Sequence, residues 1–118
     1  MALWDNYAAE TRLEVTNIDT GTTTVDSFGD TTCYGAVWRF AIDNGPGTNM
    51  RVGIIHAVWN TVSASTPVMI PEVSSDDIGD TSGVSFAVDK SATTVRLRMT
   101  VTSDDWYFYS LRTKIGAS

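Results

Sequence analysis

A two-residue rhythm constrains this chain more than any other feature. Val95, Leu97, Met99 and Val101 occupy every second position, with Arg96, Arg98, Thr100 and Thr102 between them. Such alternation matches the period of a strand with one buried and one solvated side. A helix would scatter the same apolar groups around its circumference. The rhythm recurs at 33–42, where Tyr34, Ala36, Trp38, Phe40 and Ile42 alternate with Val37, Arg39 and Ala41. It recurs again at 50–59, where Met50, Val52, Ile54, His56 and Val58 alternate with Arg51, Gly53, Ile55, Ala57 and Trp59. Composition points the same way: 17 Thr, 12 Val and 7 Ile stand against 4 Leu in 118 residues. Branched side chains suit a pleated surface and lose rotamer freedom in helices.

Punctuation between these runs sets the organisation. Leu13 and Val15 alternate with Arg12, Glu14 and Thr16, and Thr20-Gly21-Thr22 reads as a turn. A weaker strand follows over 23–28. The sequence Asp43-Asn44-Gly45-Pro46-Gly47 stops one strand and returns the next, so 33–60 reads as a long hairpin. Pro67 and Pro71 confine Val68, Met69 and Ile70 to an edge or short strand. Residues 74–83 form a polar loop, and 84–115 reads as a three-strand meander turning at 90–93 and 103–105. Seven or eight strands and no helix of core length predict an all-β, antiparallel, jelly-roll-like β-sandwich. Residues 11–118 form its single domain. Residues 1–10, with Leu3, Trp4 and Tyr7 outside the β pattern, read as an N-terminal arm or anchor. No repeat of 20–50 residues points to a solenoid or propeller.

Charge and chemistry exclude several function classes. A net charge of −6 disfavours a nucleic-acid partner, which needs clustered cations to displace counterions. No apolar run approaches the roughly 20 residues that span a bilayer, and the start Met-Ala-Leu-Trp-Asp lacks the regions of a secretory signal. The expectation is a soluble chain without membrane insertion. Cys33 is the one cysteine and His56 the one histidine, so neither an internal disulfide nor a histidine-rich transition-metal site is expected. No nucleophile-elbow pattern accompanies His56. Asp76, Asp77 and Asp80, and then Asp104 and Asp105, do not follow a calcium-loop spacing and read as turn-capping groups. The chain is therefore expected to have no cofactor, no metal, no catalytic residues and no enzymatic activity.

Aromatic residues say more. Trp106, Tyr107, Phe108 and Tyr109 are consecutive, and a strand must send two to each face. Either a subunit covers the outer face, or two rings form a platform for sugars or proteins. Trp106, Tyr107, Tyr109 and Trp59 are thus the candidate ligand-binding residues, and Leu3, Trp4 and Tyr7 the candidate partner-binding ones. Arg96, Arg98, Arg112 and Lys114 are expected to share one face of the meander.

The stretch from Asp80-Thr81-Ser82-Gly83-Val84-Ser85-Phe86 to Val88-Asp89, followed by Val95-Arg96-Leu97-Arg98-Met99 and on to Asp104-Asp105-Trp106, resembles C-terminal β domains of tailed-phage and prophage virion proteins. Such domains occur in tail-fibre-like and capsid-decorating proteins. Gly35-Ala36-Val37-Trp38-Arg39-Phe40 and Met50-Arg51-Val52-Gly53-Ile54-Ile55 look like the first hairpin of the same module, and the resemblance covers roughly 33–115. It implies a bacteriophage structural or adhesive part located in the virion, a homo-oligomer that docks onto other virion proteins. A module that binds a host glycan or receptor through exposed aromatics is the alternative.

Overall fold

The computed structural model describes residues 10–45, 48–61 and 67–116. Eight strands lie among them: β1 (Thr11–Ile18), β2 (Gly21–Gly29), β3 (Gly35–Asp43), β4 (Met50–Val58), β5 (Val68–Ser74), β6 (Val84–Ser91), β7 (Thr94–Val101) and β8 (Trp106–Ile115). They form two antiparallel sheets, one of five strands in the order β1-β8-β3-β4-β5 and one of three in the order β2-β7-β6. The fold is an antiparallel β-sandwich. No helix among the described residues is long and apolar enough to cross a membrane.

The strongest alternations lie where they were expected. β3 turns Ala36, Trp38, Phe40 and Ile42 into the core, and β7 does the same with Val95, Leu97, Met99 and Val101. The hairpin expected at 33–60 is the β3–β4 pair, in unbroken register from Gly35 opposite Val58 to Asp43 opposite Met50. β5 is an edge strand of the large sheet, as its prolines require. Between the sheets, Phe40, Phe86 and Phe108 meet with ring centroids 4.8 to 6.3 Å apart. Phe28 bridges Trp38 and Trp59 at the other end of the core.

One expectation fails. The 84–115 meander is not a single sheet, because β8 leaves β7 and pairs with β1 and β3 across the sandwich. Alternation reports which face of a strand is buried, and a hairpin and an arch between sheets bury the same face. Asp105 in this arch adopts a left-handed φ of 67°, as Ala92 does at 54° in the β6–β7 hairpin. The Asp104 carboxylate accepts bonds from the Thr20 amide and hydroxyl at 2.9 and 2.8 Å, tying this arch to the one between β1 and β2.

Three bulges reset which residues face inward. In β2 the register slips between Thr24 and Asp26, so Val25 and Asp26 are both buried. In β1 it slips between Val15 and Ile18, with Asn17 at φ 55°, and Ile18 is returned to the core. In β5 Pro71, which has no N–H for the ladder, falls within the bulge facing Ile55. An extra residue shifts every later side chain to the opposite face, which is why the 23–28 strand reads weakly in the sequence.

Candidate interaction surface

The bulge in β2 places a carboxylate between the sheets. Asp26 accepts from Trp38 Nε1 at 2.9 Å and from Arg112 at 2.8 Å, and the Arg112 guanidinium lies 5.1 Å from the Phe28 ring centroid. Arg112 is therefore buried, and Lys114 points at the same ring. Arg96 and Arg98 instead lie on the outer side of β7, where Arg96 grips Asp89 with two bonds of 2.7 and 2.8 Å. The four basic residues do not share a face, because β7 and β8 belong to different sheets. Two more ion pairs close the ends of the sandwich. Lys90 meets Asp30 at 2.8 Å with both side chains almost fully buried, and Arg51 meets Glu72 at 2.6 Å while also donating to Thr81 and Val84.

The outward sides of the two sheets differ in kind. Across the small sheet, register aligns Thr22, Thr100 and Ser85 in one row, Thr24, Arg98 and Ala87 in the next, and Ser27, Arg96 and Asp89 in a third. Hydroxyls and charges dominate, and they satisfy one another, as in the Thr22–Thr100 bond of 2.8 Å.

Across the large sheet, register aligns Glu14, Tyr109, Ala41 and Val52 in one row and Arg12, Leu111, Arg39, Ile54 and Val73 in the next. Farther along stand Thr113, Val37 and His56, then Ile115, Gly35, Val58 and Val68. Val52, Val58, Val68 and Val73 are each more than half exposed. An open groove of about 990 Å³ runs over the Arg12 and Glu14 rows, and a second of about 500 Å³ lies between Val37, Val58, Val68 and Ile115. Small soluble proteins rarely leave a contiguous apolar surface of this kind open to water.

Charges border the face on the β1 side. The Arg39 guanidinium pairs with Glu10. Tyr109 lies near Asp43, Glu14 and Tyr107; partial desolvation, followed by these neighbours, pushes its phenol above the usual tyrosine value. Tyr107 and Tyr109 meet edge to face with centroids 6.4 Å apart.

Of the aromatics expected at the surface, Tyr107 and Tyr109 lie on this face. Trp106 and Trp59 do not: they are 2% and 8% exposed and donate to Ser103 Oγ at 3.0 Å and to the Asp30 carbonyl at 3.1 Å. Indole rings with a buried N–H partner are core residues, so the platform is reduced to the two tyrosines. Leu3, Trp4 and Tyr7 lie outside the described residues. The valines and isoleucines of β4 and β5 were missed as surface residues, although β4 is apolar on both faces and signals a doubly covered strand as plainly as the consecutive aromatics do.

Turn capping is seen at three of the loop aspartates. Asp77 accepts from the Thr81 amide at 3.1 Å, Asp80 from the amide and hydroxyl of Ser82 at 2.9 and 2.6 Å, and Asp104 from Thr20. These bonds hold all three carboxyls below the usual aspartate value. His56 is exposed on the outer face of β4.

No protein-family model matches the chain, and no curated protein matches it. Among solved structures it is similar to the tailspike protein of Acinetobacter baumannii phage AM24, with a TM-score of 0.47 and 8% identity over 93% of this chain and 26% of that one. It is also similar to the tailspike protein of Acinetobacter phage vB_ApiP_P1, with a TM-score of 0.49 and 17% identity over 91% of this chain and 22% of that one. The chain thus spans about a quarter of each tailspike. At these values the likeness carries no argument about fold or activity.

Proposed function

We propose that this chain is a structural part of a tailed-phage virion, acting by association through the outer face of its large sheet and by docking onto other virion subunits. The observation that carries the association is the uncovered apolar surface spanning β8, β3, β4 and β5, set against a polar outer face on the small sheet. The virion setting is supported by the sequence resemblance over 33–115. In this reading the chain performs no catalysis, and the 1–10 segment, with Leu3, Trp4 and Tyr7, anchors it to the particle.

Co-sedimentation of the tagged chain with phage particles tests the reading. Binding that falls when residues 1–10 are deleted, or when Ile54→Asp is placed in the face, supports it. Absence of the chain from particles would contradict it.

A second reading has one observation in its favour. Tyr107 and Tyr109 present rings outward beside Glu14 and Asp43, and aromatic faces with adjacent carboxylates suit sugar C–H and hydroxyl groups. A glycan-array signal lost in Tyr109→Ala supports host-glycan binding, and an array without hits speaks against it.

A further inference from the structure

We infer that the occupant of the large sheet's outer face is a second copy of this chain, related to the first by a two-fold axis lying across the strands between the Tyr109 row and the Leu111 row. The inference rests on the association proposed above and names its partner. Its basis is self-complementarity. In a two-fold contact the same patch serves both subunits, so residue i meets j and j meets i.

Arg12 and Glu14 sit two residues apart on the outward side of β1, about 6.6 Å along the strand. Among the described residues neither side chain has a hydrogen-bond or ion-pair partner. An axis across the strands midway between their rows keeps each strand over its own copy and exchanges the rows. Arg12 then faces the second copy's Glu14, and Glu14 faces its Arg12. The same operation sets Tyr109 on Leu111, Val52 on Ile54, and the long Arg39 over the small Ala41, all read from one register.

The other in-plane axis, parallel to the strands over β3, fails on charge. It would stack Arg39 on Arg39, like charge on like, and lay the unpaired Arg12 over Val73, desolvating that cation without a partner. Area is also adequate. Five strands about 4.8 Å apart and about nine residues long present about 700 Å², close to the about 800 Å² per partner of a stable interface. Aligned packing of two sheets face to face is an ordinary arrangement.

Sedimentation equilibrium of the whole chain, with Arg12→Glu, Glu14→Arg and the double variant, tests the inference. Each single reversal places like charges opposite each other twice per dimer and is expected to weaken dimerisation at least tenfold, while the double variant restores it to within about threefold. Both residues are exposed, and backbone amide spectra check that each variant folds. A strict monomer at millimolar concentration overturns the inference, as does a dimer indifferent to the reversals or a double variant that stays monomeric. A monomer whose particle binding is still lost in Ile54→Asp overturns only the two-fold contact and leaves the association with the virion standing. A monomer with no particle binding removes both.

Discussion

The outward faces of the two sheets are built from the same kind of strand and differ in what they leave to water. On β2, β7 and β6 the outward rows are built mainly from hydroxyls and charges, with pairs such as Thr22–Thr100 and Arg96–Asp89 among them. On β8, β3, β4 and β5 the outward rows are mostly valine, isoleucine, leucine and tyrosine. A sandwich needs only its inner faces apolar. The large sheet therefore carries apolar surface that folding of one chain does not use, and the small sheet shows that the sequence can supply a solvated face where one is wanted. That difference is the basis of the proposal that the large sheet associates.

The comparison holds only while the sheets stay locked together, and its largest break comes from the lock. Asp26→Ala leaves the buried Arg112 guanidinium without its carboxylate and Trp38 without its acceptor. Removing one member of a buried ion pair costs about 3–5 kcal/mol, and urea denaturation is expected to show a loss of that size. A midpoint within experimental error of the parent would show that the bridge is dispensable.

The faces themselves are compared by paired substitutions. Ile54→Asp on the large sheet is expected to weaken association by about 2 kcal/mol or more, as for a central interface position, while Thr24→Asp on the small sheet leaves sedimentation unchanged. Equal effects would erase the distinction. A finer probe is Tyr109. Its phenol titrates above the usual value of 10.0, and covering the face desolvates it further, so its absorbance titration is expected to move upward with protein concentration and to stay fixed in the Ile54→Asp variant.

The smallest effect belongs to the small sheet. The Asp89 carboxyl is held below its usual value of 3.8, chiefly by its bonds to Arg96. A depressed folded-state pKa contributes stability that is present above the unfolded value and lost as pH falls through the folded one. Asp89 is 41% exposed, so solvent screening limits the contribution to less than about 1 kcal/mol. Asp89→Asn is expected to lower stability slightly at pH 7 and to narrow its difference from the parent below about pH 4. A difference that is independent of pH would contradict the ion pair.

Strand positions were legible wherever alternation ran unbroken, as in β3, β4 and β7, and the inward face was legible in β3 and β7 but not in β4, which is apolar on both sides. What stayed hidden involved either an extra residue or a choice of sheet. The 23–28 strand reads only as a weak one, and nothing in the residues around Val25 announces the bulge that buries Asp26. Arg112 was expected beside Arg96 and Arg98 because β8 was placed next to β7, and the turn residues do not tell an arch from a hairpin: Asp105 in the arch and Ala92 in the β6–β7 hairpin are both left-handed. Half of the surface was readable: an apolar-on-both-sides strand must be covered on both sides, a rule applied to Tyr107 and Tyr109 and equally true of Val52, Ile54 and Val58. Trp59 and Trp106 were misplaced because aromatic character does not say which face a ring takes until the register is known.

The most direct measurement of the central claim is a dilution series followed by backbone and methyl NMR. Outward positions of β8, β3 and β4, Leu111, Val52 and Ile54 foremost, are expected to shift together as the protein is diluted, while Thr22, Thr24 and Thr100 on the small sheet stay still. Spectra that do not change with concentration, or shifts confined to β2, β7 and β6, would contradict the assignment of the large sheet to self-association.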